Sequence, residues 1–205
     1  MTRSVRRRPA VIAFAVALVA LMLGSSSPAS AANPTLPIDW KVDATTTLKS
    51  LNQTVVVPTG SFTGSVDLTT WDLTGNLSLP PATTQMKLGS LPLASATFEM
   101  VAAGPITGHV DLASGTVNTT ASFNVRIRSV KPLGLPLNLV GNNCRTATPV
   151  TSNLSGPFSL TAASTFTATY TMPKLKDCGF FITPILNLII PGPGNTLSAT
   201  FGPKA

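Results

Sequence analysis

Few side chains in this 205-residue chain are suited to acid–base or nucleophilic chemistry. It has one histidine, His109, and one glutamate, Glu99, so most general acid–base pairs cannot be assembled. A Ser-His-Asp site would have to be built on His109. That residue lies on the polar side of an alternating stretch, and Ser65 stands at the matching place of a related segment, so an exposed strand histidine is expected. Two-carboxylate hydrolysis would have to draw on Asp39, Asp43, Asp72, Asp177 or Glu99. Asp67 and Asp111 occupy equivalent strand ends, where a short carboxylate accepts hydrogen bonds from a turn. The sequence has no Gly-rich phosphate loop, zinc spacing or calcium loop. A protein without enzymatic activity, cofactor or metal is predicted.

Binding is the remaining class. Arg126, Arg128 and Lys131 lie at the end of the longest alternating stretch, suited to an anionic envelope polymer or phospholipid headgroups. The competing reading is a solvated strand end whose charges discourage edge pairing. Trp40 and Trp71 have faces that stack on sugar rings, but such residues more often pack in a core. The segment Phe180–Ile190 is nearly all apolar and ends at Pro191-Gly192-Pro193-Gly194. Through Phe180, Phe181, Ile185, Leu186 and Ile189 it suits a lid over an apolar ligand or an edge touching a membrane. The plainer expectation is a plug closing the core beside Cys178. The sequons at Asn52, Asn76, Asn118 and Asn153 matter only in a host that glycosylates.

The elements that position these residues are strands. From Val117 to Ile127 every second residue (Val117, Thr119, Ala121, Phe123, Val125, Ile127) shares one face, and Asn118, Thr120, Ser122, Asn124 and Arg126 share the other. Similar alternation recurs along the chain between Gly, Pro and Asn turns, as in strands with one face on a core and one in water. The expected fold is all-β, an antiparallel sandwich or barrel. Gly60-Ser61-Phe62-Thr63-Gly64-Ser65-Val66-Asp67-Leu68 matches Gly104-Pro105-Ile106-Thr107-Gly108-His109-Val110-Asp111-Leu112. At the same offset Lys87 meets Lys131, and Leu91-Pro92-Leu93 meets Leu135-Pro136-Leu137. This predicts a duplicated strand-turn-strand unit about a pseudo-twofold axis; convergent hairpin grammar is the alternative. A short helix is expected near residues 183–190, capped by Thr183 with Pro184 at its first position, or else a bent buried strand.

The ends and the composition set the compartment. Arg3, Arg6, Arg7 and Arg8, the apolar run Val11–Leu23 and Ala29-Ser30-Ala31 read as a secretory signal over residues 1–31, followed by one domain over 32–205. Thirteen apolar residues cover about two thirds of a ~30 Å hydrocarbon core, too few for an anchor. The general secretory route is expected, with the product released or held non-covalently at the cell envelope. Of 14 Lys and Arg, four leave with the signal, so ten bases face seven acids in the exported part. No basic stripe interleaved with aromatics is present, which excludes a nucleic-acid binder. An even pair of cysteines in an exported chain reads as a disulfide, Cys144–Cys178.

The segments Ser61-Phe62-Thr63-Gly64, Ser78-Leu79-Pro80-Pro81-Ala82-Thr83, Cys144-Arg145-Thr146, Cys178-Gly179 and Pro191-Gly192-Pro193-Gly194-Asn195-Thr196-Leu197 resemble small exported proteins of actinomycete bacteria. That resemblance implies a bacterial extracellular or envelope setting and brings no catalytic residues with it. The expected function is a non-enzymatic binding or structural module, with cell-wall polymer or envelope lipid as partner. The alternative is a carrier of a hydrophobic ligand such as a lipid in a β-sheet cavity.

Overall fold

The computed structural model describes residues 33–88 and 91–204, so the signal expected over 1–31 lies outside the described residues. The chain forms β1 (Thr35–Leu48), β2 (Gln53–Asp67), β3 (Asp72–Ser78), β4 (Ala82–Leu88), β5 (Leu91–Ala102), β6 (Ile106–Asp111) and β7 (Thr116–Pro132). There follow β8 (Arg145–Thr146), β9 (Val150–Pro157), β10 (Ser164–Met172), β11 (Leu175–Lys176), α1 (Ile182–Ile189) and β12 (Gly192–Pro203).

Eight of these strands close into an antiparallel barrel in the order β1-β2-β3-β6-β7-β9-β10-β12, with β12 returning to β1 through Trp40↔Pro203 to Thr47↔Thr196. The sequence leaves sandwich and barrel open; the fold is a barrel. Its connectivity is the simplest kind. Asp72–Gly75 pairs with His109–Ile106, and after a gap Ala82–Leu88 pairs with Phe98–Leu91. β3 with β4, and β5 with β6, are therefore two halves of long strands in one hairpin. The hairpin opens in its middle, around Pro80, Pro81 and Pro105, residues that cannot donate to a ladder. β8 and β9 likewise follow each other along β7. Every barrel strand thus lies beside its chain neighbour, up and down around the ring.

Alternation explains which face turns inward. On β7, Val117, Ala121, Phe123, Val125 and Ile127 are buried. Ile127 pairs with Phe98 and Ser129 with Thr97, leaving Arg128 as an extra residue in a bulge. The bulge reverses the phase, so Val130 rather than Ser129 points in. Outward positions are Thr, Ser, Asn and charged residues, as in Thr45, Thr47, Asn118 and Thr120. That pattern is the reverse of bilayer-spanning barrels, which are apolar outside. No helix among the described residues is long and apolar enough to cross a membrane.

An aromatic cluster fills one end of the interior. Phe62 and Phe166 meet Phe201 edge-on, at 5.7 and 5.2 Å between centroids, and Trp40 lies 6.4 Å from both Phe62 and Phe201. Gly75 makes room for this cluster, because a Cβ there would sit 2.3 Å from the Phe62 ring. The turns after β2, β6 and β9 and the outer ends of β1 and β12 share that end, here termed the turn end. The connections β1–β2, β7–β8 and β10–β12 and the paired tips of β4 and β5 form the other, the helix end.

Both copies of the repeat place equivalent residues alike. Phe62, Val66, Ile106 and Val110 are buried. Asp67 accepts the backbone N–H groups of Thr69 and Thr70, and Asp111 those of Ala113 and Ser114. The expected pseudo-twofold axis is not the relation between them. β2 and β6 flank β3, two strand positions apart in a ring of eight, so the copies are successive hairpins a quarter of the circuit apart.

Cys144 and Cys178 are disulfide-bonded and fully buried, and Gly141 N–H donates to Cys178 O beside them. The bond joins the β7–β8 connection to the segment entering α1. Cross-linking residues 34 apart stabilises by about 3–4 kcal/mol on a chain-entropy basis. The helix begins at Ile182, one residue before the expected start, and Thr183 is not its cap. Its hydroxyl instead donates to Gly179 O and accepts from Cys178 N–H, bracing the disulfide. Buried polar groups are mostly paired: Thr46 with Tyr170, whose hydroxyl burial pushes up in pKa, and Asn195 with Lys49 N–H, Tyr170 O and Gly192 O. Among the described residues, Ser152 Oγ is the buried side-chain polar atom without a partner.

Candidate functional site

The residues best suited to catalysis are dispersed. His109 Nδ1 lies 3.1 Å from Asp72 Oδ1, a cross-strand pair on the outer wall with both side chains more than half exposed. The His109 hydrogen bond, then one from Thr70, holds the Asp72 carboxyl below the usual carboxylate range. Asp67 and Asp111 are occupied by the turns they cap. Among the described residues no three His, Cys, Asp or Glu side chains converge as a metal site would require. Trp40 belongs to the interior cluster, and half-buried Trp71 packs against the core in the β2–β3 turn.

Among the described residues, two small apolar spaces lie in the barrel interior. The larger, about 60 Å³, is lined by Leu73, Ala121, Leu154, Phe166 and Ala199 among others, and reaches the wall at Leu77, Leu79, Met100 and Gly104. The second, about 40 Å³, lies toward the helix end between Leu48, Val57, Phe98, Val125 and Met172. Met100, Phe123 and Leu197 border both. No residue of Phe180–Ile190 is among those lining either space.

That segment sits on the surface instead. α1 buries Leu186, with the capping Ile190 buried after it and Ile182 half-buried, and leaves Ile185, Leu188 and Ile189 in solvent. Phe180 and Phe181, stacked edge-on at 5.0 Å, are 88% and 76% exposed, and Leu188 is 85% exposed. Leu91 and Leu93 at the start of β5, and Leu133, Leu135 and Leu137 in the β7–β8 connection, are exposed at the same end, with Leu133 N–H donating to Leu93 O. Of the fifteen exposed large apolar side chains among the described residues, ten therefore lie at the helix end. The Asn138 side chain pins the leucine-rich connection, accepting from Val130 and Val140 N–H and donating to Arg128 O.

No family model, curated protein or solved structure matches the chain.

Charge divides along the barrel axis. Lys49, Lys87, Arg126, Arg128, Lys131, Arg145, Lys174 and Lys176 lie in the half toward the helix end, against Glu99 and Asp177. Asp39, Asp67, Asp72 and Asp111 lie toward the turn end with Lys41 and Lys204, and Asp43 is midway along β1. The three cations singled out in the sequence do not act alike. Arg128 makes a bidentate pair with Glu99 at 2.7 and 2.6 Å, and this pair holds the Glu99 carboxyl below the usual range. Arg126 donates to Asn142 O at 2.7 Å, and Lys131 is exposed. Sequence reasoning missed the five leucines and Lys49, Lys87, Arg145, Lys174 and Lys176 as parts of one surface. The signal was the repeated Lys-x₃-Leu-Pro-Leu at 87–93 and 131–137, which both copies deliver to the helix end.

Proposed function

We propose that this domain is a non-enzymatic binding module working outside the cytoplasm and held at the cell envelope by surface contact. The observation that carries this reading is the gathering at one end of the barrel of ten of the fifteen exposed large apolar side chains among the described residues. Exposed apolar surface gathered in this way marks interaction sites in water-facing proteins. The disulfide and the signal-like residues 1–31 support an exported setting. Retention of the exported chain on isolated envelopes is the test, with Phe180→Ser/Phe181→Ser as comparison. The double variant is expected to lose most of the retained fraction. Equal retention of the variant, or retention of the parent no better than that of an unrelated secreted β domain, refutes the reading.

A second reading, a carrier of an apolar ligand, draws on the apolar interior, since an eight-stranded barrel either fills itself or holds one small ligand. Spaces of about 60 and 40 Å³ are far below the ~300–1,000 Å³ of typical ligand sites, so a carrier would have to widen. Native mass spectrometry before and after organic extraction discriminates: loss of a co-purifying lipid mass favours the carrier.

A further inference from the structure

We propose that the helix end docks on an anionic phospholipid bilayer, its apolar side chains entering the boundary between headgroups and acyl chains and its bases facing the phosphates. This rests on the binding-module reading and names the partner of that surface.

Three observations specify lipid. First, α1 carries no charged residue, and its polar side chains are used inward: Thr183 on Gly179 O and Cys178 N–H, Asn187 on both backbone groups of Leu175. Its outer face, with Phe180 and Phe181 ahead of it, therefore presents hydrocarbon alone. A wall glycan supplies charges and sugar rings but no apolar phase to receive Phe180 or Leu188. The headgroup boundary receives such side chains to a depth of about 5–10 Å.

Second, the charge is complementary to anionic headgroups. The two acids of this half are each taken by an arginine, Glu99 by Arg128 and Asp177 by Arg145 at 3.7 Å. That leaves Lys49, Lys87, Arg126, Lys131, Lys174 and Lys176 without an acidic partner among the described residues. The acidic turn end is repelled by the same surface, so the barrel stands with its axis across the membrane plane. Third, the surface is preorganised. The Cys144–Cys178 bond joins two of its connections, the Leu133–Leu93 hydrogen bond joins the leucine tips, and Asn138 fixes the loop between them. Little ordering is left to be done on contact.

The experiment is co-sedimentation of the exported chain with vesicles of phosphatidylglycerol and phosphatidylcholine, against phosphatidylcholine alone. Binding to the anionic vesicles is expected, falling at least tenfold between about 0.1 and about 0.5 M salt as headgroup attraction is screened. Each base removed weakens binding about fivefold, and Lys131→Glu/Lys176→Glu by more than about 25-fold. Phe180→Ser/Phe181→Ser abolishes it, while Lys41→Glu at the turn end leaves it unchanged. A Lys41→Glu loss as large as that of Lys131→Glu overturns the proposal, since net charge alone would then explain binding. Absence of vesicle binding alongside Phe180-dependent retention on delipidated envelopes overturns the lipid partner and leaves the binding module standing. Absence of both overturns both.

Discussion

Ala121→Val tests the interior through the sign of a stability change. Ala121 is buried on β7 beside the larger space, and valine places two more methyl groups on the same strand position. If those groups enter the space of about 60 Å³, transfer from water at ~0.8 kcal/mol each gives a gain of up to about 1.5 kcal/mol. Valine also suits a pleated strand, which adds in the same direction. If the lining instead closes around Ala121, the same methyl groups overpack the core and cost about 1–3 kcal/mol. The outcomes therefore differ in sign. Urea unfolding of the oxidised exported chain reads the difference as a shift of midpoint at constant slope. A rise in melting temperature of roughly 3–5 °C accompanies the gain in a domain of this size. A fall in the midpoint refutes the reasoning. Vesicle binding should be untouched, because Ala121 is remote from the helix end.

Other perturbations probe the same barrel. Gly75→Ala forces a Cβ to within 2.3 Å of the buried Phe62 ring and 2.8 Å of Thr63 O, and is expected to cost about 1–3 kcal/mol. Adding Phe62→Leu should recover part of that loss, so additive costs in the double-mutant cycle count against the packing account. Ser152→Ala removes a buried hydroxyl that has no partner and should raise stability by about 1 kcal/mol; a loss of that size would reveal a bond to Ser152 Oγ. Asp67, Asp72, Glu99 and Asp111 are all held below the ordinary carboxylate range in the folded chain, so their contribution is present above the unfolded pKa of about 4 and is lost as pH falls through the folded values. Thermal midpoints should decline on acidification below about pH 4, and Glu99→Gln should flatten the decline; an unchanged profile would contradict the role given to the Arg128 pair.

Strands were legible because a two-residue period assigns each side chain to core or water, and Val117–Ile127 does so without a break. Closure was not legible. The same period serves a sandwich and a barrel, and the choice lies in the pairing of Trp40–Thr47 with Thr196–Pro203, at opposite ends of the described chain. The change of phase at Arg128 was hidden for a related reason: a bulge is a property of the pair, visible only once Phe98 and Thr97 lie opposite. Register also decided the fate of the cations, since it is β5 that brings Glu99 to Arg128. Phe180–Ile190 stood out by composition, yet its neighbours at the helix end did not. Each is a short Leu-Pro-Leu step, and only the direction of every strand around the ring brings the steps to one end.

The break in the long hairpin has a mechanical consequence. Between Gly75 and Ala82 on one side and Phe98 and Ile106 on the other, the two strands share no ladder bonds, and Leu77, Leu79, Met100 and Gly104 there border the larger interior space. The wall is also thinly bonded between β9 and β10, which share the single pair Thr167↔Ser155, and between β2 and β4, which share no ladder. In the hairpin's break only side chains hold the cloth shut. Parting the wall at the middle of this hairpin therefore costs side-chain packing rather than backbone hydrogen bonds, and leaves the ladders on either side of the break in place.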